Sequence, residues 1–154
     1  MRPCHDAELA KRMPAVTDQP DVEEVLDRLD ATDDGPLAPS RDQWRRHLDR
    51  DESQEFVVIN RLRVADPAAL DRYVAVAVPM VEDLGAELMY LGRSTGVLVG
   101  DEDDDCDIVS VWRWPSRAAW TQLWLTDDYA SVRSEFNNGV ESWHCQTSRP
   151  ISLG

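Results

Sequence analysis

Between residues 54 and 150 the hydrophobic pattern alternates between strand and helix periods in a fixed order, and that order constrains the fold more tightly than any composition figure. Phe56–Val64 is β-branched and largely apolar, a strand pattern. Asp66-Pro67 follows, an N-cap with proline at the first helical position. The next stretch sets Leu70, Tyr73, Val74, Ala77, Val81 and Leu84 on one broad helical face. Gly85 is its stop, and Pro79 predicts a kink inside it. Residues 87–91 read as a second strand, with residues 96–99 as its extension or hairpin. Residues 101–105 are a solvated acidic loop, and residues 107–114 form a third strand alternating between two faces. Pro115-Ser116 opens a helix carrying Ala119, Trp120, Leu123 and Trp124. Thr126 caps a further helical segment through Tyr129, Val132, Arg133 and Phe136, ended by Asn138-Gly139. Residues 143–148 make the last strand.

The order is β-α-β-β-α-β, which predicts a ferredoxin-like α+β domain over residues 54–154. Its four-stranded antiparallel sheet carries the helices on one face. Val57, Ile59, Val109, Val111 and Cys145 are assigned to the other face, where a second copy would cover them and close a dimeric α/β barrel. Residues 1–53 read as a partly flexible N-terminal extension with two short helices. One places Val22, Val25, Leu26 and Leu29 at helical spacing. The other opens on the capping box Ser40-x-x-Gln43 and carries Trp44 and Leu48. Each stripe is too narrow to stand alone, so both helices are expected to dock on the main domain or on a partner copy.

Charge limits the partners. The formal net charge is -14, and a polyanion repels nucleic acid phosphates and anionic membrane surfaces. No apolar run approaches the roughly 20 residues of a membrane span. The first ten residues hold Asp6 and Glu8 and no apolar core of a secretory signal, which points to the cytoplasm. Cys4, Cys106 and Cys145 have no framework spacing and read as free thiols. The mirrored pairs Cys4-His5 and His144-Cys145 lack metal-ligand spacing, and the run 101–105 lacks the pattern of a calcium loop, so no metal is expected.

Strand parity nominates a site. Phe56, Val58, Asn60 and Leu62 share one face of the first strand. Ile108, Ser110, Trp112 and Trp114 share one face of the third, and both sets are assigned to the helix side. Asn60 there would position a ligand carbonyl or oxyanion, or else satisfy itself within the core. His144 is the candidate general base. Tyr90 and Tyr129 are candidate proton donors to a developing oxyanion. Arg133 would bind a carboxylate, or pair with Glu135 or Asp128. Arg117 reads as a surface residue at a helix start. Of six tryptophans, Trp112, Trp114, Trp120 and Trp124 cluster at one strand-helix junction, an aromatic wall suited to a flat apolar ligand. No catalytic triad order, phosphate-binding glycine loop, dinucleotide fingerprint or zinc signature is present. The expectation is a homodimeric, cofactor-free enzyme acting on a flat hydrophobic substrate by proton transfer, as an isomerase, cyclase or cofactor-free monooxygenase. The alternative is a non-catalytic ligand-binding or regulatory dimer.

Several segments resemble the family called domain of unknown function 1330. They are the first-strand run from Val58 to Leu62, Tyr73, Gly85-Ala86-Glu87, the run from Trp114 to Trp120, Asp128-Tyr129 and Arg133. The resemblance implies a dimeric α/β barrel and no agreed reaction. The wider superfamily includes heme-degrading monooxygenases, which use an asparagine, a tryptophan and a histidine. Asn60 and Trp112 resemble the first two, but the histidine place falls near Arg133. A heme-binding reading is therefore a second alternative that lacks its axial ligand.

Overall fold

A computed structural model describes residues 21–32, 34–51 and 53–153. Helices α1 (Val22–Asp30) and α2 (Arg41–Leu48) come first. Then follow β1 (Phe56–Val64), α3 (Pro67–Asp83), β2 (Glu87–Arg93), β3 (Ile108–Trp114), α4 (Arg117–Trp124), α5 (Asp127–Gly139) and β4 (Val140–Ser148). The four strands form one antiparallel sheet in the order β2-β3-β1-β4. This is a ferredoxin-like α+β arrangement with flanking helices. Its second half carries two helices, α4 and α5, before the last strand.

Local chemistry explains the ends of the elements. Asp66 accepts from the Ala68 and Ala69 amides and caps α3, with Pro67 at its start. Gly85, at φ +90°, takes the left-handed turn after it. Ser40 and Gln43 close the reciprocal capping box of α2. Ser116 caps α4 through the Ala119 amide. Thr126 stands before α5 but does not cap it. Its hydroxyl donates back to the Gln122 carbonyl, 2.8 Å away, so α5 starts without a side-chain cap.

Strand β4 starts at Val140, directly after α5, three residues earlier than the sequence pattern suggests. Residues 96–99 lie outside the sheet, and Leu98 and Val99 are almost fully exposed. The acidic loop keeps its carboxylates near solvent, but its backbone is pinned. Arg63 donates to the carbonyls of Asp105 and Asp103 at 2.8 and 2.6 Å, and Arg61 donates to that of Asp104.

The N-terminal helices dock on the sheet domain of the same chain. Val25, Leu26, Leu29, Trp44 and Leu48 belong to one buried cluster with Phe56, Val58, Trp114, Leu123 and Trp124. The connector between α1 and α2 is tied to α5. Asn137 donates to the carbonyl of Asp34 at 2.8 Å and accepts from the Leu37 amide at 3.2 Å, and Arg133 donates to the Leu37 carbonyl.

Gly139 sits where α5 packs closely on the start of α3. Its carbonyl accepts from the Ala65 and Asp66 amides at 2.9 and 3.2 Å. A Cβ there would lie 2.6 Å from the Leu70 nitrogen and 2.9 Å from its Cα. These are backbone atoms that cannot rotate away, so α5 and α3 would have to separate. Gly139→Ala is expected to lower unfolding stability by about 2 kcal/mol in urea titration, with the slope unchanged. A change below about 0.5 kcal/mol would show that the two helices slide apart at little cost.

Candidate functional site

Register decides which side chains meet. In β1 and β3, Asn60 pairs with Ser110 and Val58 with Trp112, so both sets project from the same face of the sheet. That face, together with α3, α4 and α5, encloses a cavity of about 360 Å³. Its lining is mainly apolar and aromatic, and includes Asn60, Trp112, Trp114, Trp120, Trp124, Tyr129 and Arg133. Seven of the residues singled out from the sequence thus share one cavity wall.

Tyr90 and His144 lie elsewhere. The β2–β3 register slips between Leu88 and Tyr90. Leu88 sits opposite Trp112 and Leu91 opposite Ser110, while Tyr90 sits opposite Val111. One extra residue turns Tyr90 to the outer face, where it is 55% exposed. In β4, Cys145 pairs with Asn60 and His144 with Arg61. Cys145 is therefore on the helix side, packed against the core, and not on the outer face. His144 takes the outer face and is exposed. The proposed base and one proposed donor are thus separated from Asn60 by the sheet itself. His144 and Cys145 project to opposite faces, so they do not act as a pair. Cys4 and His5 lie outside the described residues.

Two polar clusters interrupt the apolar lining. In the first, the Asn60 amide donates to the Ser110 hydroxyl at 3.2 Å and accepts from the Trp143 indole N–H at 3.0 Å. Both Asn60 partners are side chains of neighbouring strands, which holds the amide in one orientation. In the second, the Tyr73 and Tyr129 hydroxyls are 2.8 Å apart, and Arg133 Nη1 donates to Tyr129 at 3.4 Å. Burial pushes both phenols above their ordinary pKa, Tyr73 well above it. They are proton donors at neutral pH, not bases.

Arg133 is only 1% exposed. Its guanidinium lies 4.4 Å from the Trp124 ring centre and 4.7 Å from that of Phe136, a cation held by aromatic faces. The expected pairing with Glu135 does not form, because Glu135 turns outward to Arg72 at 3.0 Å. Arg133 Nε has no hydrogen-bond partner among the described residues. Buried Asp34 is the acid close enough to act on Tyr129, raising its pKa.

Arg117 is not a surface residue. It is 3% exposed, donates to His47 Nδ1 at 2.7 Å and stacks over Phe56 at 4.6 Å. His47 is itself buried among Trp44, Trp120 and Phe56. Burial and then the Arg117 charge push His47 down to about 4. The Cys145 thiol is pushed up to about 12 by burial and stays protonated.

Sequence parity did not single out Trp143 or Tyr73 as cavity groups. The signal for Trp143 was available, since Trp143 and Cys145 are the apolar alternates of an otherwise polar strand. Tyr73 was visible only as one member of a helical face.

Neither histidine of the described residues lines this cavity. At the position where a heme iron would need its ligand, Arg133 offers a guanidinium with no free lone pair. These residues do not fit heme. Among the described residues no group of three His, Cys, Asp or Glu side chains gathers, and no helix is long and apolar enough to cross a membrane.

Comparison with known proteins agrees with the fold. The RPA0582 protein of unknown function from Rhodopseudomonas palustris superposes with a TM-score of 0.70 at 21% identity, covering 77% of this chain and 98% of that one. Its methylated form gives 0.71 at 21% identity, over 78% and 98%. A NIPSNAP-family protein of unknown function from Agrobacterium tumefaciens aligns over 66% of this chain and 93% of its own, at 17% identity and a TM-score of 0.47. No curated protein matches the chain. The family model described as Domain of unknown function (DUF1330) matches residues 55–142, more than half of the sequence, and the chain belongs to that family.

Proposed function

We propose that this protein is a ligand-binding domain that holds a small, flat, largely apolar molecule between its sheet and its helices, and that it works as a homodimer. The observation that carries the reading is the 360 Å³ cavity with its aromatic wall and two fixed polar clusters. That size and composition are those of small-molecule sites. One amide N–H of Asn60 and the Ser110 hydroxyl would meet a ligand carbonyl or hydroxyl on the strand side. Tyr73, Tyr129 and Arg133 would meet one on the helix side. Trp112, Trp114, Trp120 and Trp124 would sandwich the flat body.

The homodimer rests on the outer face of the sheet. Val57, Ile59, Val109 and Val111 are partly exposed there, and Tyr90 more so. A second sheet laid on this face would bury them and close the barrel. The acidic surface argues against nucleic acid and anionic membranes as partners, and fits a cytoplasmic protein.

The titration test uses 2-naphthol as an uncharged flat probe, followed by tryptophan fluorescence. Ser110 is 9% exposed on the cavity wall, and Ser110→Phe would place a ring in the space. The variant is expected to weaken 2-naphthol at least tenfold, or about 1.4 kcal/mol, while remaining folded by circular dichroism. Unchanged affinity in a folded variant would remove the cavity as the site.

An enzyme of the isomerase, cyclase or cofactor-free monooxygenase kind is the second reading, favoured by the Tyr73–Tyr129–Arg133 donor chain. Such donors stabilise an oxyanion, but among the described residues the cavity lining holds no histidine, and its one carboxylate, Asp71, belongs to an exposed residue. Binding therefore fits the site better than proton transfer through His144. Mass spectrometry of the ligand carried through purification separates the two. A binder returns it unchanged, and an enzyme returns product.

A further inference from the structure

A second cavity, of about 460 Å³, lies between the N-terminal segment and the sheet domain. Residues 36–39 and α2 form one side, and α4 and β4 form the other. Its charge is anomalous. The chain has 30 acidic and 16 basic side chains, yet Arg46, Arg50 and Arg117 line this cavity and no Asp or Glu among the described residues does.

Elsewhere on the same helix the arginines are neutralised. Arg41 and Arg45 pair with Glu23 of α1 at 3.0 and 3.1 Å. Arg46, on α2, and Arg50, just beyond its C-terminal end, form no ion pair with a described residue. Buried Arg117 has His47 Nδ1 as its one side-chain hydrogen-bond partner among the described residues. Burial, then the Arg50 and Arg149 charges, hold the Arg117 guanidinium below its ordinary pKa.

His47 supplies an independent observation. It lines the cavity and is 9% exposed. Its Nδ1 accepts from Arg117, so the neutral ring carries its proton on Nε2. That Nε2 is buried without a hydrogen-bond partner, a state that costs free energy unless something outside the described chain meets it. Trp44 and Trp120, with ring centres 5.0 Å apart, add an aromatic wall.

We propose that this cavity is a second binding site, for a small organic anion with a flat apolar body, of the aryl carboxylate or aryl phosphate class. Arg46, Arg50 and Arg117 hold the anionic group, and Trp44 and Trp120 hold the ring. Two or three guanidinium groups on one oxyanion give charge-assisted bonds that no acid among the described lining residues supplies. The site does not depend on the sheet–helix cavity being occupied, although Trp120 and Trp143 line both.

The test is isothermal titration of the full chain with 2-naphthoate, 2-naphthyl phosphate and 2-naphthol. Arg46 and Arg50 are exposed, so the double variant Arg46→Gln/Arg50→Gln should keep its fold, which an unchanged melting midpoint verifies. It is expected to weaken both anions at least tenfold and leave 2-naphthol unaffected. Ser110→Phe is expected to do the reverse. Raising salt from 50 to 300 mM should weaken the anions and not the neutral probe. Tighter binding of the phosphate assigns the ligand to phosphate esters, and tighter binding of the carboxylate assigns it to aryl acids. The proposal is overturned if neither anion binds at millimolar concentration. It is equally overturned if the double variant binds them as the parent does, or if Ser110→Phe alone abolishes their binding. Failure of 2-naphthol with retention of the anions would overturn the sheet–helix reading and leave this one standing.

Discussion

Arg133→Ala is expected to destabilise the fold by about 3 kcal/mol, the scale of truncating a large buried side chain. The guanidinium fills the space between Trp124 and Phe136, and also lies 5.9 Å from the Trp143 ring centre. Its removal leaves a hole among Trp124, Phe136 and Trp143. It also strands the Leu37 carbonyl and takes one donor from the Tyr73–Tyr129 pair. Relief of the desolvated charge offsets part of this loss. Arg133→Lys should fall between parent and alanine, because an ammonium keeps the charge and one donor but cannot stack as a plane. Urea titration reads both. A loss in the alanine variant below about 1 kcal/mol would mean that the cage contributes no more than ordinary packing.

The second large effect is a loss of stability in mild acid. His47 is held at about 4, against an ordinary 6.5, by burial first and then by Arg117. Between these values the unfolded chain binds a proton that the folded chain does not, so stability rises with pH across that window. The contribution is fully present above pH 6.5 and is lost as the pH falls towards 4, to about 3 kcal/mol in total. Carboxylates also titrate at the lower end, so the comparison is with His47→Asn. That variant keeps an acceptor for Arg117 and carries no titratable group at position 47. Its stability should be lower at pH 7.5 but flatter over the window. Parallel slopes for parent and variant would show that His47 is not the group responsible.

Why some of the site was legible and some was not follows from register. In β1 and β3 the pairing runs unbroken from Phe56 to Leu62, so simple alternation places Asn60, Ser110, Trp112 and Trp114 on one face. In β2 a single irregularity at Met89 inverts the faces after it. No residue type marks it in the sequence, so nothing there shows that Tyr90, a candidate donor, turns away from the cavity. In β4 the alternation is readable whichever residue starts the strand: Trp143 and Cys145 are its apolar alternates and take the helix side, and His144 between them takes the outer face, away from Asn60. The helix caps were legible because Asp66, Ser40 and Ser116 act on their own neighbours. The burial of Arg117 and His47 was not, because it depends on α2 meeting α4, 70 residues apart in sequence. The same distance hid the charged cavity between them.

The family match and the RPA0582 likeness speak to the fold. Side chains of this chain alone carry the functional reading, in which a flat apolar ligand lies between the sheet and helices α3, α4 and α5. A crystal structure of the protein grown with 2-naphthol tests this most directly. Ring density is expected against Trp112 and Trp124, with the hydroxyl within hydrogen-bonding distance of Asn60 and Ser110 or of the Tyr73–Tyr129 pair. A filled outer-face site, with the sheet–helix cavity holding only water, would contradict it.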